Sequence, residues 1–154
     1  MNTVSTSTRE VIGLKGYTDA LAPYAVTLLR ILVGITFFLH GLPKLSNLAG
    51  FTGFLTSLGV PLPGVAAPVI MALEVVGGLL LIAGLGTRWI SLLFAAQMLV
   101  TTLLVKSGIG FIAPQGAPGV GAELDLLLLA SSLILLAYGS GPLSVERTIL
   151  KREL

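Results

Sequence analysis

Four long apolar runs take up most of this chain: Pro23–Leu42, Val65–Gly84, Trp89–Val105 and Ala122–Tyr138. Each approaches the ~20 residues that a helix, rising 1.5 Å per residue, needs to cross ~30 Å of hydrocarbon. The last two runs are short for this, which calls for a thin local bilayer or snorkelling ends. A soluble helical bundle is the competing reading, but it needs a polar stripe along each helix. The stretch Leu124–Leu136 offers only Asp125, Ser131 and Ser132. Composition decides the same way. Only 10% of the residues are charged and 55% are hydrophobic, whereas a soluble domain carries about a quarter charged residues. Mean hydropathy is +0.99. A fold in water could not cover its surface with so few charges, but lipid solvates an apolar exterior. The expectation is an all-α bundle of four transmembrane helices, antiparallel up-down-up-down, in a bacterial plasma (inner) membrane.

The breaks between the runs set the organisation. Residues 1–21 are polar and rich in Ser and Thr, and read as a disordered cytoplasmic tail ending in a short surface helix. A cleavable signal peptide is not expected, because its n-region would be too long and the apolar segment carries Arg30 and His40. Residues 22–142 form the membrane domain and residues 143–154 a cytoplasmic C-terminal tail. Between the first two spans, Phe51, Phe54, Leu55 and Leu58 fall at helical spacing, which predicts a short amphipathic helix at the interface. Pro61 and Pro63 then break it. Leu85–Arg88 is a tight hairpin, and Lys106–Gly121, with Pro114 and Pro118, is a loop over one end of the bundle. Arg9, Lys15, Arg88, Arg147, Lys151 and Arg152 share one side of a four-span topology, against Lys44 and Lys106 on the other. This bias places both termini in the cytoplasm.

Ionisable groups at membrane depth are costly and usually face a bundle interior. Arg30 lies in the first span and Glu74 in the second, at depths of about 10–15 Å from the cytoplasmic ends by helical rise. An Arg30–Glu74 ion pair is therefore expected, with Gln97 of the third span hydrogen-bonding to it. Such a pair is either a clasp that fixes register or a polar binding centre. His40 and Lys44 sit one turn apart at the periplasmic end of the first span, and Glu123 and Asp125 open the fourth span on the same side. Lys44 is expected to pair with Glu123 or Asp125. The plainer alternatives are a snorkelling Lys44 and carboxylates that favour a helix N-terminus. Gly34, Gly77, Gly78, Ala95 and Ala96 allow close helix approach.

Several classes are excluded. The absence of cysteine removes disulfides, thiol relays, thiolate-bound clusters and any membrane dithiol–quinone chemistry. His40 is the only histidine, so a bis-His haem is impossible, and no spacing suggests a metal site. Met71 and Met98 read as packing residues. No nucleotide loop or nucleophile elbow is present, and no basic cluster points to nucleic acid.

Leu28–Gly34 followed by Phe38–Leu45, then Gly53–Leu55 with Leu58–Pro61, resembles the opening of the DoxX family. Ala72–Leu81 with Gly84–Arg88, and the closing Gly139–Glu146, are similar to it as well. The resemblance covers roughly residues 23–146, and the order and spacing of the pieces carry it. It implies four transmembrane helices and a family whose members are often labelled oxidoreductase subunits, some linked to quinones. By residue it points to Arg30, His40, Lys44, Glu74, Arg88 in the cytoplasmic hairpin, and Glu123. Many relatives carry a histidine near Lys106 and a Gly-Tyr-Glu-Tyr-like start to the last helix. Here that start reads Gly121-Ala122-Glu123-Leu124-Asp125, so a mechanism built on those residues lacks them here.

The expected function is a quinone-binding or accessory membrane subunit of a redox system, with no cofactor of its own and quinone as the implied ligand. Whether it is itself an enzyme is left open, and the residues name no catalytic group. The alternatives are a non-enzymatic scaffold or assembly factor, and a small oligomeric transporter. Expected partners are membrane lipids, a redox-enzyme subunit and further copies of the chain.

Overall fold

The computed structural model describes residues 14–116 and 120–151. The tail expected over residues 1–21 lies largely outside them; residues 14–21 are helical and continuous with the first helix. Helix α1 runs Leu14–Ser46. It is followed by α2 (Leu48–Ser57), α3 (Pro63–Ala83) and α4 (Thr87–Lys106), then α5 (Glu123–Tyr138) and a short α6 (Val145–Thr148). Among the described residues the secondary structure is helical throughout.

Three helices, α1, α3 and α4, are long and apolar enough to cross a membrane. At 16 residues, α5 reaches about 24 Å. Within the most apolar window of the three long helices, only 33%, 28% and 22% of the residues are buried inside the protein. The rest of those helices is therefore an apolar exterior. Leu28, Leu32, Leu39, Trp89, Leu93, Leu103 and Leu127 all point outward. An apolar surface this continuous belongs in lipid.

The inner face of α1 follows from its spacing. Thr27, Arg30, Val33, Gly34, Phe37 and Gly41 recur every three or four residues, and all are buried. This stripe packs on α3 along most of its length and on α5. Gly34 and Gly78 meet back to back: a Cβ built on either lies 2.8 Å from the other's carbonyl oxygen. Only glycine at both positions permits that approach. On the far side α5 packs most extensively against α4. Val33, Phe37, Leu81, Phe94, Met98 and Leu135 form the core, with the Phe37 and Phe94 rings stacked at 3.6 Å between centroids.

Helix ends are marked as backbone chemistry requires. Asn47 caps α2 by accepting from Gly50 N at 3.0 Å. Pro63 stands at the start of α3, and Gly84 and Gly86 take left-handed conformations to turn the α3–α4 hairpin. Both α3 and α4 carry a π turn, at Leu73–Gly77 and Thr102–Lys106. The first of these lies at Glu74, where the extra residue per turn re-aims the side chains.

Candidate functional site

Two polar clusters stand at opposite ends of the bundle, and they are not the pairings expected from depth counting. Arg30 does not meet Glu74. Its guanidinium, 1% exposed, donates through Nη1 to the carbonyl of Ser140 at 2.8 Å and through Nη2 to that of Leu143 at 2.7 Å. A longer contact of 3.5 Å reaches Ile82 O. The charge that acts on it is Glu146. The correction comes from register. Gly34 lies against Gly78 and Ile82, and Gly41 lies against Glu74 and Val75. Glu74 is thus level with a residue eleven positions beyond Arg30, about 16 Å along α1. Counting depth from assumed span ends missed this because α1 extends well beyond both ends of the run Pro23–Leu42.

The Arg30 end is closed by the C-terminal segment. Glu146, also 1% exposed, accepts from the Thr87 amide at 3.2 Å, while its own amide donates to Gly84 O. Ser144 Oγ is hydrogen-bonded with Ser140 Oγ and with Gly141 O, both at 3.0 Å. Gly141 fits because a Cβ there would stand 2.4 Å from Thr27 Oγ1. Within residues 143–154, expected as a cytoplasmic tail, Ser144 and Glu146 are buried against the bundle, while Leu143, Ile149 and Leu150 are exposed. Sequence reasoning missed Glu146, Ser140 and Ser144. The signal was the closing run Gly139–Glu146, quoted for its resemblance but assigned no role. Arg88, in the first turn of α4, donates to the carbonyls of Leu136 and Ala137 at 2.6 and 2.9 Å. It thereby satisfies the open C-terminal end of α5.

At the other end, Lys44 pairs with Glu74 rather than with Glu123 or Asp125. Lys44 Nζ contacts both carboxylate oxygens and lies 4.8 Å from the Phe51 ring centroid. Gln97 Nε2 donates to Glu74 Oε1 at 2.6 Å. Lys44 reaches Glu74 because it stands one turn beyond Gly41 on the same face of α1. Glu74 is 3% exposed and Lys44 24%. The carboxylate is therefore buried, and the ammonium is the half of the pair that faces open space.

That space is a cavity of about 610 Å³ in the half of the bundle remote from the Gly84–Gly86 turn. Its walls are mostly apolar, with Phe37, Phe51, Phe54, Leu73 and Met98 among them. The polar lining is Thr36, His40, Lys44, Glu74, Gln97, Thr101, Lys106 and Asp125. Of two groups expected apart, Glu74 and Gln97 from the Arg30/Glu74/Gln97 centre and His40, Lys44 and Asp125 from the His40/Lys44/Glu123/Asp125 mouth thus border one volume, which Arg30 does not reach. Glu123 does not line it. His40 donates through Nδ1 to Thr36 O at 2.8 Å. Asp125 is 7% exposed, its Oδ2 has no partner among the described residues, and Lys106 and His40 lie within electrostatic reach. A volume of this size, apolar with a few convergent polar groups, has the character of a small-molecule site.

The DoxX family model matches residues 25–107. A Bacillus subtilis (strain 168) protein named "Putative oxidoreductase CatD" is 39% identical over 80% of this chain and 86% of its own length. Inner membrane protein YphA of Escherichia coli (strain K12) is 28% identical over 83% of this chain and 92% of its own. Inner membrane protein YqjF of the same organism is 30% identical over 86% and 97%. No solved structure matches the chain.

Proposed function

The chain belongs to the DoxX family of membrane proteins, and from that premise we propose that it binds a quinone-class lipid as the membrane subunit of a redox system. The observation that carries this reading is the cavity of about 610 Å³ bordered by the Lys44–Glu74–Gln97 cluster, His40 and Asp125. Its apolar walls suit an isoprenoid or aromatic ring, and its few polar groups suit the ring oxygens. The oxidoreductase name of the Bacillus subtilis relative and the inner-membrane names of the Escherichia coli relatives support the same placement. The protein's own residues bind and orient the lipid. Electrons pass to or from a partner, since the chain has no cysteine and a single histidine.

The topology that goes with this reading has four crossings, α5 being the fourth, and both termini in the cytoplasm. The Arg30 cluster then lies at the cytoplasmic face and the cavity in the periplasmic half. The basic residues Lys15, Arg88, Arg147 and Lys151 fall on the cytoplasmic side of this arrangement.

The test is lipid extraction from protein purified in native-lipid nanodiscs. Quinone is expected in near-stoichiometric amount with the wild type and at background level with Thr101→Trp, which fills the cavity. Wild-type protein that carries no quinone and recruits no redox partner would sink this reading and leave the non-enzymatic scaffold.

A further inference from the structure

Helices α3 and α4 separate as they leave their turn. Near it they are closely joined: a Cβ on Gly77 would stand 3.1 Å from the Phe94 ring and 3.3 Å from an Ile90 methyl, and Gln97 donates to Glu74. Beyond that bond they diverge. The first half of α3, Pro63–Ala72, packs on α2 and α1, whereas α4 packs on α5, with no extended contact between the two among the described residues. The cavity lies in this V, with the Lys44–Glu74–Gln97 cluster at its apex.

The two arms carry the walls, Val69 and Ile70 on α3 and Val100 and Leu104 on α4. Val69 is 60% exposed, Val100 53% and Leu104 50%, so these wall residues are also part of the exterior and the cavity opens along the cleft. Val69 lies in Pro63–Ala83 and Val100 in Thr87–Lys106, both helices apolar enough to cross a membrane. Each stands about 9 Å inside the open end of its helix. The lip of the cleft is therefore apolar and at hydrocarbon depth. The loop side is walled differently. There α2 lends Phe51, Leu55 and Leu58, and the loop after α4 is tied back on itself, Ala122 N donating to Gly110 O at 3.0 Å and Glu123 N to Phe111 O at 3.1 Å.

A polar solute loses its hydration at such a lip, whereas a lipid already in the bilayer brings an apolar chain to it. At the apex, Lys44 and Gln97 keep donor protons beyond those given to Glu74, which suits ring oxygens in either redox form. Resting on the quinone-class reading above, we infer that the ligand enters sideways from the bilayer between α3 and α4, and that its chain trails out through the same cleft past Val69, Val100 and Leu104. These three residues then discriminate by the chain, not by the ring.

The chain has no cysteine, so a pair introduced as Val69→Cys/Val100→Cys is alkylated selectively. The full-length variant in nanodiscs is compared before and after reaction with the membrane-permeant N-benzylmaleimide. The ligands are decylubiquinone and duroquinone, a methylated ring without a chain, and bound ligand is counted by native mass spectrometry. Alkylation is expected to weaken decylubiquinone about tenfold or more and duroquinone about twofold or less. In the single variant Val100→Cys, decylubiquinone is expected to slow alkylation about tenfold, and duroquinone is not; this reading needs no bulky adduct. Decylubiquinone binding unchanged after complete alkylation, or equal loss of both ligands, overturns the cleft as the chain's path while leaving quinone-class binding intact. Wild-type protein that binds neither, or that holds only phospholipid, overturns both.

Discussion

Replacing Lys44 by Met should destabilise the bundle far more than replacing Glu74 by Gln, although both changes break the same ion pair. Removing one partner of a buried pair costs about 3–5 kcal/mol, because a charge is left buried without compensation. In Lys44→Met that charge is the Glu74 carboxylate, 3% exposed. It keeps one charge-assisted bond from Gln97, which holds the cost near the lower end, about 3 kcal/mol. In Glu74→Gln the group left over is the ammonium of a lysine side chain that is 24% exposed. It borders the cavity, can reach towards open space on its flexible stem, and still finds the new amide oxygen. That cost is about 1 kcal/mol. The difference of about 2 kcal/mol is a roughly thirtyfold gap in folding equilibrium. The double variant Lys44→Met/Glu74→Gln should recover most of the Lys44→Met loss. The assay is reversible unfolding in mixed micelles, read by tryptophan fluorescence from Trp89, with a second cycle on Arg30→Met and Glu74→Gln. Near-zero coupling is expected in the second cycle, because Arg30 and Glu74 have separate partners. Strong Arg30–Glu74 coupling, or equal losses from Lys44→Met and Glu74→Gln, would refute the assignment.

Gly34→Val should prevent close packing of α1 on α3, since even a Cβ there sits 2.8 Å from Gly78 O and 2.9 Å from an Ile82 side-chain carbon; the expected loss is about 3 kcal/mol or more, against less than 1 kcal/mol for Gly53→Ala, which meets nothing within 4 Å. Both are read by thermal unfolding in detergent. The absence of cysteine makes topology directly measurable: Ser46→Cys and Gly116→Cys should react with an impermeant maleimide added outside intact cells, and Lys15→Cys and Lys151→Cys only after permeabilisation. The reverse pattern would overturn the orientation.

The helices were legible because their signal is a sum over many residues. The run Val65–Gly84 and the helix Pro63–Ala83 differ by a residue or two at each end. The spacing of Phe51, Phe54 and Leu55 likewise predicted α2, found at Leu48–Ser57. The important polar residues were legible too, because Arg30, Glu74, Gln97, Lys44 and Asp125 are conspicuous in an apolar chain. Their partners were not. Pairing depends on register, and register here is fixed by the contact of Gly34 with Gly78, which a single sequence does not announce. The π turn Leu73–Gly77 adds a local rotation that a 3.6-residue period cannot foresee. Glu146 was hidden for a different reason. It follows the last apolar run, where hydropathy predicts solvent, and it is buried only because the chain reverses at Gly139 and Gly141.

A register clasp and a binding site ask different things of the atoms around a buried ion pair. A clasp gains from complete enclosure, since low-dielectric packing on all sides strengthens the pair and protein interiors are ordinarily filled to crystal-like density. Arg30 meets that description: it is enclosed by carbonyls and covered by the folded-back C-terminal segment. Lys44 and Glu74 do not. They border a volume of about 610 Å³, more than twenty times the ~30 Å³ share of a water molecule. The bundle thus separates the two arrangements at its two ends, with a packed charge cluster that holds Ser144 and Glu146 against the helices and a second cluster that borders an apolar cavity.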